Sequence, residues 1–180
     1  MTTAHVGLSA SDPQAYRENL FKLLGDRNPL DVLAATASRL AETVRTHSPT
    51  VLRTRPFDGK WTPNEIIGHL ADGEWVYGYR VRLVLCQDRP AMFGTIQDLW
   101  VAGQRHNERE PSELMDMFRT LRQFNLALWT RLTPPDFERI GQHNERGSES
   151  LAVMLRMWAG HDLSHLDQIT RYIQAVRHQE

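Results

Sequence analysis

An all-α fold, a bundle of four long helices, is what this sequence predicts, on three observations. Apolar residues recur at helical spacing in four stretches, about 29–46, 63–86, 113–132 and 149–177. A capping residue (Asn28, Thr62, Ser112, and Ser148 or Ser150) stands at the head of each. No run shows the sustained alternation of a strand, and no internal repeat is present. Four amphipathic helices with two longer connections read as a bundle, and 180 residues suit one domain, 1–180, with its core over about 29–176.

Taken in order, residues 1–11 read as a frayed leader, and Asp12-Pro13 starts a helix that Gly25 closes. This helix, within 1–28, is expected to be short and peripheral. Asn28-Pro29 repeats the start signal, and Leu30, Leu33, Ala34, Ala37, Leu40, Ala41 and Val44 form one apolar face up to Ser48-Pro49. A loop over 49–61 follows, its turn chemistry set by Arg53, Arg55, Pro56, Asp58 and Gly59. Thr62-Pro63-Asn64-Glu65 is a capping box with proline inside it. It opens the 63–86 helix, whose inner stripe is Ile66, His69, Leu70, Gly73, Val76, Tyr77, Arg80 or Val81, and Val84.

Residues 87–111 are the least regular part, broken by Pro90, Gly94, Gly103 and Pro111, with Ile96, Leu99 and Trp100 as an apolar anchor on a short helix. Connections of this length inside a domain are usually functional. The helix over 113–132 turns Leu114, Met117, Phe118, Leu121, Phe124, Leu128 and Leu132 inward, and Thr133-Pro134-Pro135 stops it. A polar connection over 133–148, with Gly141 and Gly147, leads to the last helix.

Composition excludes several classes. The net charge of -1 gives no cationic surface to exchange for counterions, so no nucleic-acid partner is expected. A single cysteine, Cys86, cannot form an internal disulfide, and with no activating base beside it reads as a small packing residue. The opening residues lack a charged and an apolar region, and no run is long enough to cross a bilayer, so a cytoplasmic protein without a membrane partner is expected.

The chemistry is concentrated in the last helix. His161 and His165 lie one turn apart inside the stripe Leu151, Met154, Leu155, Trp158, Ile169, Tyr172 and Val176. Two imidazoles at i and i+4 project from one face onto one point, as a metal ion requires. His69, on the stripe of another core-facing helix, is the natural third ligand. Burying three imidazoles without a common partner costs roughly 1–3 kcal/mol for each unsatisfied group, and a shared cation removes that cost. Glu65 and Asp72, about one turn either side of His69, are candidates for a fourth ligand, a partner of an imidazole N–H, or a general base. Glu65 also reads as a capping residue with no chemistry. Gln168 is a lesser candidate, and His106, in the long loop, reads as solvated surface with a lid position as its alternative.

The run Gly59-Lys60-Trp61-Thr62-Pro63-Asn64-Glu65-Ile66-Ile67-Gly68-His69-Leu70-Ala71-Asp72, with the later His161-Asp162-Leu163-Ser164-His165-Leu166-Asp167-Gln168-Ile169, resembles the DinB-like (YfiT-type) superfamily over about 29–176. The resemblance implies an up-down-down-up four-helix bundle. It also implies a divalent metal held by one histidine of the second helix and two of the last, which match His69, His161 and His165. Homodimers are implied as well, and activities that include metal-dependent transfer of low-molecular-weight thiols.

Three neutral ligands leave charge uncompensated and coordination positions open, the composition of a catalytic site. Nitrogen ligation suits zinc or nickel, with iron or manganese as alternatives. A metal-dependent transferase joining a small thiol to an electrophilic small-molecule substrate is expected first, with Arg105 or Arg109 of the 87–111 loop meeting an anionic group. Metal-assisted hydrolysis with Glu65 or Asp72 as base comes second. A non-catalytic stress-response module stiffened by its metal is the third reading.

Overall fold

In the computed structural model, which describes residues 12–178, proline opens most of the helices. These are α1 (Pro13–Leu24), α2 (Pro29–Thr46), α3 (Pro49–Arg53), α4 (Pro63–Cys86), α5 (Gln97–Gly103), α6 (Pro111–Trp129), α7 (Pro134–Phe137) and α8 (Leu151–Arg177). Proline has no N–H to leave unbonded in the first turn, and its fixed φ is already helical. The reading of 1–11 as a leader lies outside the described residues. No helix among the described residues is long and apolar enough to cross a membrane.

Two apolar clusters fix the directions of the long helices. One gathers the starts of α2 (Val32, Leu33) and α8 (Leu151, Met154, Leu155, Trp158) with the ends of α4 (Val81, Val84) and α6 (Trp129). The other gathers the far ends: Leu40 of α2, Ile66, Ile67 and Leu70 of α4, Leu114 and Phe118 of α6, and Ile169 and Ile173 of α8. α2 and α8 therefore run one way, and α4 and α6 the other. That is the up-down-down-up bundle, with α2 and α4 each packed against both α6 and α8.

Between the two clusters sits a layer of charge. Arg122 of α6 donates to Glu74 Oε1 of α4 from Nε and Nη2 (2.9 and 2.6 Å), and from Nη1 to Asp162 Oδ2 of α8 (2.7 Å) and the Leu33 carbonyl of α2 (2.6 Å). One guanidinium thus ties all four long helices together. Burial works against its charge, and Asp162 and Glu74 outweigh burial, holding its pKa above the ordinary value.

Several expectations change. α1 is not peripheral: Leu20 and Leu24 are buried, and α1 packs along α8. The inner face of α6 is Leu114, Met115, Phe118, Arg122, Asn125 and Trp129, while Phe124 is 67% exposed. The expected stripe put Phe124 inside because no apolarity rule seats an arginine in a core. α6 also begins at Pro111 rather than after Ser112, with no side-chain cap. Cys86 is exposed at the end of α4 instead of packed.

A small sheet was not expected. β1 (Ala91–Met92) pairs parallel with β2 (Ile140–His143), which pairs antiparallel with β3 (Gly147–Ser150), in the order β1-β2-β3. Strands of two to four residues are too short to show alternation. Gly147 takes φ 75° at the hairpin turn. The sheet pins residues 87–111 to the 133–148 connection and brings Arg146 to the same cavity wall as Arg80 of α4.

Candidate metal centre

The cap at the start of α4 settles where His69 stands. Thr62 accepts from the Glu65 N–H (3.1 Å), and Glu65 Oε2 accepts from the Thr62 N–H (2.6 Å). Two turns on, His69 faces α8, where His161 and His165 project together. The three rings are mutual neighbours, with centroids 5.1 Å (His69–His161), 4.7 Å (His69–His165) and 4.4 Å (His161–His165) apart. Nε2 of His69 lies 3.0 Å from Nε2 of His161, and one ring nitrogen from each of the three falls within 4.8 Å of the others.

The donor set suits a divalent cation. Imidazole nitrogens bind such an ion at about 2.0–2.1 Å, which brings ligand nitrogens to roughly 3–4 Å from one another. Gln168 Oε1 accepts from His165 Nδ1 at 2.8 Å, which leaves Nε2 as the lone-pair nitrogen. Burial pulls His69 and His161 well below 6.5, helped by the neighbouring imidazoles, and pulls His165 down against the opposing pull of Gln168 and Asp162. The rings are therefore neutral near neutral pH, the state that ligates. Trp61 covers them, with its ring 4.9 Å from His69 and stacked 6.4 Å from His165.

The triad opens on a cavity of about 580 Å³, whose wall also includes Asp72, Tyr77, Ser164 and Gln168. Asp72, three residues past His69, is on that wall. Its Oδ2 accepts from His106 Nε2 (2.8 Å), and Gln104 Nε2 donates to Oδ1 and Oδ2 (3.0 and 2.9 Å). Glu65 stands elsewhere: Oε2 is spent on the cap, Oε1 accepts from Arg55 at 3.1 Å, and the residue is absent from the cavity wall.

His106 reverses its surface reading. It is 0% exposed, in a short 3-10 turn over His106–Glu108, and its ring fits against α4 because residue 68 is glycine. A Cβ there would stand 2.4 Å from His106 Cγ. An isolated glycine inside a helical pattern is the sequence signal for such an approach. Arg105 and Arg109 pair instead with Glu108 and Glu113 and do not line the cavity. The arginines that do are Arg80, Arg146 and Arg171. His143, in the polar connection over 133–148, is buried.

Comparison with known proteins agrees with this arrangement. The sequence model of the DinB superfamily matches residues 33–169. The chain belongs to the DinB superfamily. Curated relatives of this DinB protein include OB0782 of Oceanobacillus iheyensis, 28% identical over 113 residues, an alignment spanning 62% of this chain and 64% of that one. YfiT of Bacillus subtilis is 26% identical over 160 residues, 86% of this chain and 89% of its own. Both carry the name "Putative metal-dependent hydrolase". The solved structure of Bacillus subtilis YfiT, described as having an unusual four-helix bundle topology, superposes with a TM-score of 0.65 at 21% identity, covering 94% of this chain and 92% of that one. This DinB chain shares its bundle.

Proposed function

We propose that the protein is a metal-dependent hydrolase of a small-molecule substrate, with His69, His161 and His165 as metal ligands and Asp72 as general base. The observation that carries the reading is the convergence of three neutral imidazoles from two helices on the wall of a 580 Å³ cavity. The name shared by the curated relatives supports it. A divalent cation held there supplies a Lewis acid that polarises a substrate oxygen and acidifies a coordinated nucleophile.

The chain does the rest. Gln168 fixes which nitrogen His165 presents. Asp72 takes the proton of the nucleophile, and Gln104 and His106 hold its carboxylate toward the cavity. Trp61 and Tyr77 exclude water from the ring faces of the triad. Cavities of roughly 300–1,000 Å³ take drug-sized molecules, so this one has room for a thiol cosubstrate beside an electrophile. That size supports a second reading, transfer of a low-molecular-weight thiol, in which Asp72 takes the proton from sulfur instead of water.

Metal analysis of the purified wild type and of His161→Ala tests the proposal. About one ion per chain in the wild type and none in the variant is the expected result, and full occupancy in His161→Ala overturns it. Turnover of a panel of esters and amides with no thiol present favours hydrolysis. Turnover that appears only when a thiol is added replaces it with transfer.

A further inference from the structure

Two arginines among the described residues are buried, Arg122 and Arg80. Arg122 is matched by two carboxylates. Arg80, 6% exposed, forms no ion pair among the described residues, and its one hydrogen bond there is from Nη2 to the Phe93 carbonyl. Burial pulls its pKa down and the nearby Arg146 adds to that, against the opposing pull of Tyr77, Glu149 and Glu145. An unmatched buried guanidinium is costly unless something outside the chain pairs with it.

Its surroundings say where that partner goes. Arg80 and Arg146 line the same cavity as the histidines, together with Tyr16 and Tyr77, whose hydroxyls have no hydrogen-bond partner among the described residues. Arg146 is already neutralised, donating to both oxygens of the buried Glu149 at 2.6 and 2.9 Å. Glu145, at the same end, is exposed, lies over Gly94 and pairs with neither arginine. His143 is pushed down to about 4 by burial and by Arg146 and Arg80, against the opposing pull of Glu149.

We propose that the cavity has a carboxylate subsite, formed by Arg80 with Arg146 and the Tyr16 and Tyr77 hydroxyls, and that the substrate carries an anionic carboxylate at the end remote from the metal. This rests on reading the triad as the reaction centre. The unmatched charge is that of a single guanidinium, which suits a monoanion better than a phosphate dianion. The Tyr77 ring centre is 6.2 Å from the His161 ring and 5.8 Å from Arg80 Cζ, so Arg80 Cζ and the His161 ring centre lie within about 12 Å of each other. Tyr77, stacked on Trp158 at 4.9 Å, spans the gap between them.

Calorimetric titration of the full-length, metal-loaded protein with benzoate, its neutral isostere benzamide, and phenylphosphonate tests this. Benzoate binding about tenfold tighter than benzamide is the expected result, with Arg80→Met reducing that preference to within about twofold. Arg80→Lys, which keeps the charge without the planar fork, retains part of the preference, and Tyr77→Phe weakens benzoate by roughly threefold. His161→Ala separates the two readings. Preference kept in His161→Ala and lost in Arg80→Met supports the subsite whatever becomes of the metal reading. Preference kept in Arg80→Met and lost in His161→Ala puts the carboxylate on the metal and overturns the subsite. Equal binding of benzoate and benzamide, or no binding of either, overturns it as well. Phenylphosphonate binding tighter than benzoate overturns the monoanion assignment. Should Arg80→Met not fold, unchanged benzoate affinity in both Arg80→Lys and Tyr77→Phe overturns the subsite.

Discussion

Replacing Arg122 by methionine removes the cation that holds the middle of the bundle. The side chain makes hydrogen bonds to Glu74, Asp162 and the Leu33 carbonyl, and it lies 4.7 Å from the Phe118 ring centre and 5.5 Å from that of Trp158. Methionine fills much of the volume, so the loss is electrostatic. Two carboxylates, 1% and 0% exposed, are left without their counterion, and Asp162 Oδ1 already has no hydrogen-bond partner. Summing charge-assisted bonds at about 1.5–3 kcal/mol each overstates the loss. A proton offers a way out, since burial already raises the Glu74 pKa and an orphaned Glu74 binds one at about 1.4 kcal/mol per pH unit. We therefore expect a loss of about 3–5 kcal/mol near neutral pH, and a Tm lower by roughly 2–4 °C for each kcal/mol. Because burial holds the Glu74 pKa above its unfolded value, the variant is most stable in mild acid and weakens as pH rises through the folded value. Arg122→Met/Glu74→Gln/Asp162→Asn, which removes both orphan charges, recovers more than half of the loss. Urea unfolding followed by far-ultraviolet circular dichroism measures all three proteins. A loss below about 1 kcal/mol in Arg122→Met, or a triple variant no more stable than the single one, would falsify the reasoning.

Other perturbations separate roles within the site. Gln168→Leu frees the His165 ring and lowers metal affinity by about 10–100-fold, read by competition with a chelating dye, while the fold is unchanged. Asp72→Asn keeps the metal and loses turnover by about 10²–10⁴-fold, whereas Glu65→Ala loses about 1 kcal/mol of stability and keeps both; equal loss of turnover in the two would return Glu65 to the chemistry. Gly160→Ala places a Cβ 2.4 Å from the Leu20 carbonyl oxygen, so α1 must shift, with a loss of about 1–3 kcal/mol and faster proteolysis of α1 as the readouts. His143 resists protonation in the folded state, so it withdraws stability as pH falls from about 6.5 to about 4, and His143→Gln flattens that part of the stability profile.

What the sequence reveals and what it hides divide along a physical line. Helix starts are local: Asn28-Pro29 and Thr62-Pro63-Asn64-Glu65 carry their caps within four residues, and α2 and α4 begin where those signals stand. The His161–His165 pair is local too, a consequence of helical pitch. His69 joins it legibly only beside that pair, since three inward imidazoles, two of them in register, point to a shared partner where a single one does not. His106 gives no such hint, since its partner Asp72 lies 34 residues away and its burial depends on the absence of a side chain at Gly68. Arg80 stood on the predicted stripe of α4, yet only the β2–β3 hairpin, with Arg146, shows that it faces a cavity and not a carboxylate.

The face of α6 makes the same point more sharply. Any rule that counts apolarity sends Arg122 to solvent and Phe124 to the core, and both placements fail for one reason. Glu74 on α4 and Asp162 on α8 are themselves buried, and a bundle holding two inward carboxylates in one layer needs an inward cation opposite them. α6 supplies it, and the apolar residue displaced from that face goes to the surface. The rotation of α6 is thus set by charges on two other helices. Because Asp162 adjoins His161, the same pairing that orients α6 also fixes the turn of α8 from which His161 and His165 project.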